Sequence, residues 1–337
     1  MTRTHVRQKK IEKENQEPMK KFVALLLAVL MTAALAGCGG TASGSGEYVI
    51  GICQMMPHNS LNEAAQGFQD ALTDALGEDK VRFVHQDAGG EYANCATIID
   101  GFLAEGVDLI LANATVPLQA AVSAVADTPV LGTSITDYAT ALNMSEWTGT
   151  LGGNVSGTTD LAPLDQQAAV VAELFPEAET VGMLYCSSEP NSVYQVTRVE
   201  EYLTEMGYAC TSFAFVDVND LSAVCETACE ASDVIYIPTD NTCAMYTENI
   251  ANVVIPAGVP VVTGDASTCA AAGVATFSIS YYDLGVVTGR MAAQILLGEA
   301  DISAMPVRSV EEAFKMYNPV NCEKLGITVP DDYQPVQ

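Results

Sequence analysis

One alternation, run through twice, constrains this chain more than any other feature. Short apolar strand-like runs begin near residues 48, 81, 108 and 129, and again near 180, 209, 233 and 259. Each is followed by a segment with helical spacing. After Tyr48-Val49-Ile50-Gly51-Ile52-Cys53, for example, Leu61, Ala64, Ala65, Phe68, Leu72 and Leu76 recur at helical intervals. Strands alternating with helices specify a parallel sheet covered on both faces. A chain of 337 residues is too long for one ordinary core. The expected fold is therefore α/β, with two doubly wound parallel-sheet lobes joined by a hinge. The similar intervals make a coarse repeat of organisation, not of sequence. Asn143 to Asp160, rich in Gly, Thr and Ser, breaks the rhythm, and the first crossing between lobes is placed there.

In open α/β sheets, ligands bind outside the carboxyl ends of the strands, where helix N-termini point. Six polar turns occupy that position: 54–60, 113–115, 133–137, 187–192, 239–241 and 264–265. They supply the candidate ligand-binding residues Gln54, Ser60, Thr115, Ser134, Asp137, Glu189, Asn191, Ser192, Asp240, Asn241 and Asp265. Singly, Ser60, Thr115, Ser192, Asp240 and Asp265 also read as helix N-caps. Together, six turns from two lobes would face one crevice. Their acidic members are Asp137, Glu189, Asp240 and Asp265, with no Lys or Arg among the turns. Carboxylates suit a ligand ammonium, and hydroxyls with helix N–H groups suit a carboxylate. An amino acid meets both demands. Asp240 and Asp265 are expected at the ammonium, and Thr115, Asn191 and Ser192 at the carboxylate. Met55, Met56, Trp147, Tyr185, Tyr281 and Tyr282 are candidates to pack a side chain.

Charge excludes other classes. From Cys38 onward the chain has 7 basic and 39 acidic residues, a formal charge of −32. Nucleic acids and anionic lipid surfaces need clustered Lys and Arg, and there are none. Only His58 and His85 follow Cys38, so a Cys/His metal site is not expected. No cofactor is implied. The chain lacks G-x-S-x-G, P-loop and H-E-x-x-H motifs, and an enzyme is not expected. The nine cysteines after Cys38 have no framework spacing and read as small buried apolar residues, not staples.

The amino end reads as a targeting segment. Lys20-Lys21 precede an apolar run from Phe22 to Ala36, short for a membrane span and suited to a signal peptide. Leu35-Ala36-Gly37-Cys38 resembles a bacterial lipoprotein cleavage box. Residues 1–37 are therefore read as signal peptide, with Met19 as the true start, Cys38 as the lipidation site and 38–47 as a flexible tether. Two acyl chains on such a cysteine anchor a protein stably.

Several stretches resemble one family. They are Ile50-Gly51-Ile52-Cys53-Gln54 with His58 and Leu61, Thr115 to Ala120, Asn154 to Asp160, and Tyr185 to Ser192. Thr239-Asp240-Asn241, Gly264-Asp265, Tyr282 to Gly298 and Asn321 to Pro330 continue the match. The sequence resembles the ABC-transporter substrate-binding lipoproteins with a type I periplasmic-binding-protein fold, in the tryptophan and aromatic amino-acid branch. The departures are Asn59, Asn62 and Tyr138, placed on the rim of the first lobe, where the family has Pro, Asp and Pro. The resemblance implies three crossings between lobes, with 48–140 and 280–305 forming lobe 1 and 141–279 and 306–337 forming lobe 2. It also implies a monomeric, lipid-anchored, extracytoplasmic receptor that delivers an amino acid to an ABC permease. A nucleoside or sugar receptor on the same fold, or a sensing lipoprotein without transport, is the alternative.

Overall fold

The computed structural model describes residues 46–336. The expected signal segment, Met19, Cys38 and most of the tether lie outside them. Strands β1 (Tyr48–Gln54), β2 (Val81–Asp87), β3 (Leu109–Asn113), β4 (Val130–Ile135) and β5 (Val155–Thr159) form a parallel sheet in the order β2-β1-β3-β4-β5. Helices α1 (Asn59–Leu76), α2 (Tyr92–Glu105), α3 (Thr115–Ala124) and α4 (Tyr138–Ala141) connect them. Apart from the edge strand β2, the strands are largely buried on both faces, as a covered parallel sheet requires. Ile50, Ile52, Leu109, Leu111 and Leu131 pack on one side with Phe68 and Leu72. Cys53, Ile110 and Ala112 pack on the other with Ile99, Phe102 and Leu118.

Lobe 2 repeats the design. It contains β6 (Thr180–Cys186), β7 (Ala209–Phe215), β8 (Val234–Ile237), β9 (Val261–Thr263), β10 (Ala275–Ile279), β11 (Ala313–Tyr317) and β12 (Gln334–Pro335). Their order is β12-β11-β10-β9-β8-β6-β7. Its helices are α5 (Leu164–Leu174), α6 (Pro190–Met206), α7 (Val218–Ala231), α8 (Asn241–Met245), α9 (Thr247–Ala257) and α10 (Ala266–Ala271). The first five strands of each lobe thus follow one winding, and each sheet reverses direction beside its first strand. That reversal opens the crevice in which ligands sit.

Helix α11 (Tyr281–Leu296) leaves lobe 2 and lies along α1. Gly67 and Gly285 allow the approach, because a Cβ at either would collide with the backbone carbonyl of Tyr282 or Ala64. The chain then returns to lobe 2 through β11, antiparallel to β10, and α12 (Pro319–Leu325). Three segments therefore pass between lobes: 160–163, residue 280, and 305–312. Thr159 N donates to Arg308 O at 2.8 Å, pinning the end of β5, just before the first segment, to the third.

Several expectations need correction. The first crossing begins at Asp160, the far end of the 143–160 stretch in which it was expected, so lobe 1 runs past 140: β5 pairs with β4 and completes its sheet. Val155-Ser156-Gly157-Thr158-Thr159 is too polar to announce itself as a buried strand, yet its first four residues are buried. Thr276 to Ile279 lie in β10, within the lobe 2 sheet, and the second crossing is confined to Ser280. The helical stretch after β8 is two helices, broken at Tyr246. Ser60, Thr115 and Ser192 lie inside first turns and cap nothing; the N-cap positions belong to His58, Ala114 and Glu189. Tyr138 is no rim residue. Its ring is buried under the sheet, and its hydroxyl donates to Gly132 O and Thr158 O. The nine cysteines from Cys53 on are free thiols, and seven are buried.

Candidate ligand-binding site

The turns at the carboxyl ends of both sheets meet in one cleft. Lobe 1 contributes His58, Ser60 and Leu61 from the start of α1, Ser134 and Thr136 after β4, and Asp160 after β5. Lobe 2 contributes Asn191 from α6, Thr239 to Asn241 and Ala244 around α8, and Asp265 after β9; Tyr281 sits at the hinge. The lobes touch directly. Ser60 Oγ donates to Asp265 Oδ1 at 3.1 Å and lies 2.6 Å from Ser267 Oγ. His58 Nε2 meets Asn241 Oδ1 at 3.2 Å, and Gln195 Nε2 donates to Thr136 Oγ1 at 3.3 Å. The cleft is shut to a slot with about 20 Å³ of room for the centre of a water-sized sphere, space for a water molecule or two.

The turns divide into scaffold and open wall. Glu189 is scaffold: Oε1 accepts from Thr242 N and Oγ1, and Oε2 from Asn241 N, Asn241 Nδ2 and Asn191 Nδ2. Five donors hold a buried carboxylate that in turn fixes the first turn of α8. Asp240 caps that helix, accepting from Cys243 N at 2.8 Å with one oxygen and Cys186 N at 2.7 Å with the other. Burial, and then the neighbouring Glu189, pushes the Asp240 carboxyl up to about 7. Asp265 caps α10 through Oδ1, which accepts from Thr268 N at 2.9 Å and Ser267 Oγ at 2.6 Å. Ser134 has φ +57°, a conformation costly for a non-glycine residue and often kept at binding sites.

Buried polar atoms nearly always have partners, and one left alone costs about 1–3 kcal/mol. Five of those left alone among the described residues belong to residues of this slot: His58 Nδ1, Ser134 Oγ, Asp160 Oδ1, Asn191 Oδ1 and Asp265 Oδ2. Their chemistry is lopsided. Burial lowers the His58 pKa, so its ring is neutral. The Asn241 amide is oriented by Glu189, so its Oδ1 accepts from His58 Nε2–H and Nδ1 remains an acceptor. Four of the five atoms can only accept a hydrogen bond; the Ser134 hydroxyl alone can donate. The Asp160 carboxyl, with Oδ2 held by the Tyr281 hydroxyl at 2.7 Å, is pushed up to about 6 by burial. The slot asks for a ligand rich in N–H donors.

The sequence-derived candidates separate accordingly. Ser60, Ser134, Asn191, Asp240, Asn241 and Asp265 line the slot. Gln54, Thr115, Asp137, Glu189 and Ser192 do not. Gln54 braces the turn behind the wall through Met56 O, Asn62 Oδ1 and Asn113 Nδ2. Asp137 caps α4 through Thr140 N, and Thr115 is buried in the first turn of α3. Nor does Asn191 offer a spare donor, since Nδ2 is already shared among Glu189, Ser192 and Thr239. Of the side chains proposed for packing, only Tyr281 lines the slot; Trp147 is exposed and stacks on Tyr138. Asp160 and Thr136 were missed. Asp160 obeys the same rule as the others, a polar residue just after a strand, and was hidden because β5 was hidden.

Residues 49–334 match the family of ABC transporter substrate binding proteins. The chain belongs to that family. Its fold is that of the type I periplasmic binding proteins, and the family is one of substrate receptors rather than catalysts. A tyrosine-binding protein of Clostridioides difficile (strain R20291) is 29 % identical over 307 residues, 87 % of this chain and 88 % of that protein. An ABC domain from Streptococcus pneumonia in complex with L-Trp superposes with TM-score 0.81 at 31 % identity, covering 85 % of this receptor and 97 % of that chain. A ligand-free, open substrate-binding protein with adhesive properties from Clostridium difficile gives TM-score 0.67 at 28 % identity, covering 86 % and 99 %. The receptor is thus closer in shape to the liganded structure than to the open one at similar identity, in keeping with its shut cleft.

Proposed function

We propose that this receptor captures an aromatic amino acid between its lobes and hands it to an ABC permease. One observation carries the reading: a slot between the lobes whose unpartnered atoms are almost all acceptors, with three carboxylates, two of which keep a free oxygen, and no Lys or Arg. An α-ammonium supplies three N–H donors and a positive charge, matching Asp265 in particular. The first-turn N–H groups of α8 are spent on Glu189 and Asp240, so the Ser134 hydroxyl and any unspent N–H groups at the other helix starts are the donors left for the α-carboxylate. The similarity to a tyrosine-binding protein and to an L-Trp complex supports an aromatic side chain. Leu61, Ala244 and the Tyr281 ring are the apolar surfaces available to it, and the slot must widen to admit it.

The amino-terminal reading completes the proposal: a signal peptide, lipidation at Cys38 and a flexible tether hold the receptor outside the cytoplasm beside its permease. Among the described residues no helix is long and apolar enough to cross a membrane. Calorimetry of the purified protein with tryptophan, tyrosine and phenylalanine tests the assignment. Saturable heat with at least one is expected. Silence with all three, or binding of a neutral polyol instead, sinks the aromatic assignment.

A further inference from the structure

The free acceptors of the slot are of two kinds. Asp160 Oδ1 and Asp265 Oδ2 belong to carboxylates, whereas His58 Nδ1 and Asn191 Oδ1 belong to neutral groups. The neutral pair is organised by one atom. Glu189 Oε2 accepts from Asn191 Nδ2 at 3.1 Å and from Asn241 Nδ2 at 2.7 Å, which sets the two amides side by side. The oxygen of each amide is thereby fixed: Asn241 Oδ1 meets His58 Nε2 at 3.2 Å, and Asn191 Oδ1 is left free. With its proton held on Nε2, the His58 ring presents Nδ1 as a fixed acceptor. His58 is 8 % and Asn191 7 % exposed, so bulk water does not serve them. Apolar surface adjoins them. Leu61 stands three residues past His58 and Ala244 three past Asn241, and both line the slot.

We propose that His58 Nδ1 determines side-chain specificity: it accepts a hydrogen bond from a ring O–H or N–H, and so selects phenol- and indole-bearing amino acids over a plain phenyl ring. This rests on the reading of the protein as an aromatic amino-acid receptor. The ligand's ammonium goes to the carboxylates by charge, which leaves the neutral acceptors for a second, uncharged donor. A phenol or an indole brings one and a phenyl ring brings none. A site built around a polar group rejects an analogue that lacks the matching one, because its own buried atom is then left alone. Asn191 Oδ1 is the neighbouring acceptor on lobe 2, but the His58 ring is the one whose acceptor depends on both lobes. Asn241 of lobe 2 fixes the proton of His58 of lobe 1. The specificity element is therefore complete only when the lobes meet.

The test is calorimetry of the purified wild type, His58→Gln and His58→Asn with four ligands: tyrosine, tryptophan, phenylalanine and benzothienylalanine, in which sulfur replaces the indole N–H. The Gln amide reaches the place of Nε2, so it keeps a donor for Asn241 and loses the acceptor at Nδ1. The Asn amide reaches the place of Nδ1 and can keep an acceptor there. Wild type should bind tyrosine over phenylalanine, and tryptophan over benzothienylalanine, by about tenfold or more. In His58→Gln both gaps should close through weaker binding of tyrosine and tryptophan, with phenylalanine changed less than about threefold. His58→Asn should keep more of each gap. Nitrogen NMR of the wild-type tyrosine complex should show a neutral His58 ring with its proton on Nε2. A merely structural role would weaken all four ligands alike, and that result overturns the proposal. So does a proton on Nδ1, or a larger gap in His58→Gln than in His58→Asn. If phenylalanine binds wild type as well as tyrosine, the proposal falls and the receptor reading stands. If none of the four binds, the receptor reading falls and the proposal falls with it.

Discussion

Tyr281 donates its hydroxyl to Asp160 Oδ2 at 2.7 Å, and the bond ties the first segment that passes between the lobes to the helix start that follows the second. Asp160 follows β5 directly, and Tyr281 begins α11. Both are buried, so neither has water as a ready substitute. Tyr281→Phe keeps the ring but removes the donor from a buried carboxyl. The expected cost is about 1–3 kcal/mol of stability. The Asp160 pKa should also rise further, because that bond is one of the influences holding it down. Thermal melting checks the first effect, and ligand affinity at neutral pH should fall with the second. An unchanged melt would remove the hinge bond from the account.

Asp160 also sets a pH dependence. Burial moves its carboxyl from 3.8 up to about 6, so the native state holds a proton that the unfolded chain has already released. The stability this group contributes is complete below the unfolded value and lost as pH rises through about 6. Its size is about 3 kcal/mol. Tyr281, Tyr138 and Asp265 face Asp160, and none of them offers an offsetting positive charge. The ligand-free protein should therefore melt higher near pH 5 than near pH 8, with the gap reduced in Asp160→Asn. The net negative charge of the chain acts in the same direction, so the difference between variant and wild type is the informative quantity. Affinity for an ammonium should run the opposite way, falling as pH drops below about 6.

Glu189 tests the scaffold. Its five donors come from Asn191, Asn241 and Thr242, on the two turns that form the lobe 2 wall. Glu189→Gln turns one accepting oxygen into an amide that faces donors. The expected loss is about 2–4 kcal/mol in chemical unfolding. The Asp240 carboxyl should also titrate lower than about 7, since Glu189 is the second cause of its shift after burial. Infrared titration of the carboxyl band reads that change. A variant as stable as wild type would place Glu189 outside the scaffold.

How far the sequence reveals this site depends on how each residue announces itself. The β–α rhythm exposes strands such as β1 and β3, because burial on both faces demands apolar runs there. β5 carries Ser156, Thr158 and Thr159 in a buried strand beside the hinge, where Ser156 Oγ bonds Met305 O and Thr158 Oγ1 bonds Thr288. Those polar pairings replace the hydrophobic signal, so β5 and the role of Asp160 stayed hidden together. A polar turn after a strand shows where a site can be, but not which of its atoms are already spent. Glu189 and Asp265 look alike in sequence. Only the partners around them show that Glu189 is saturated while Asp265 keeps an oxygen free.

The cross-cleft latch gives the last prediction. Ser60 is the lobe 1 side of a contact whose lobe 2 side is Asp265 Oδ1 with Ser267. Ser60→Ala removes that reach but leaves Asp265 Oδ1 its bonds to Thr268 N and Ser267 Oγ, so no buried charge is orphaned. The loss should be that of one ordinary hydrogen bond, about 1 kcal/mol, or roughly fivefold in affinity. Because the bond exists only with the lobes together, the loss should appear as faster ligand release, with association and the ligand-free melting temperature nearly unchanged. Stopped-flow kinetics separate these outcomes. Slower association with an unchanged release rate would mean that Ser60 acts before closure, not in the closed state.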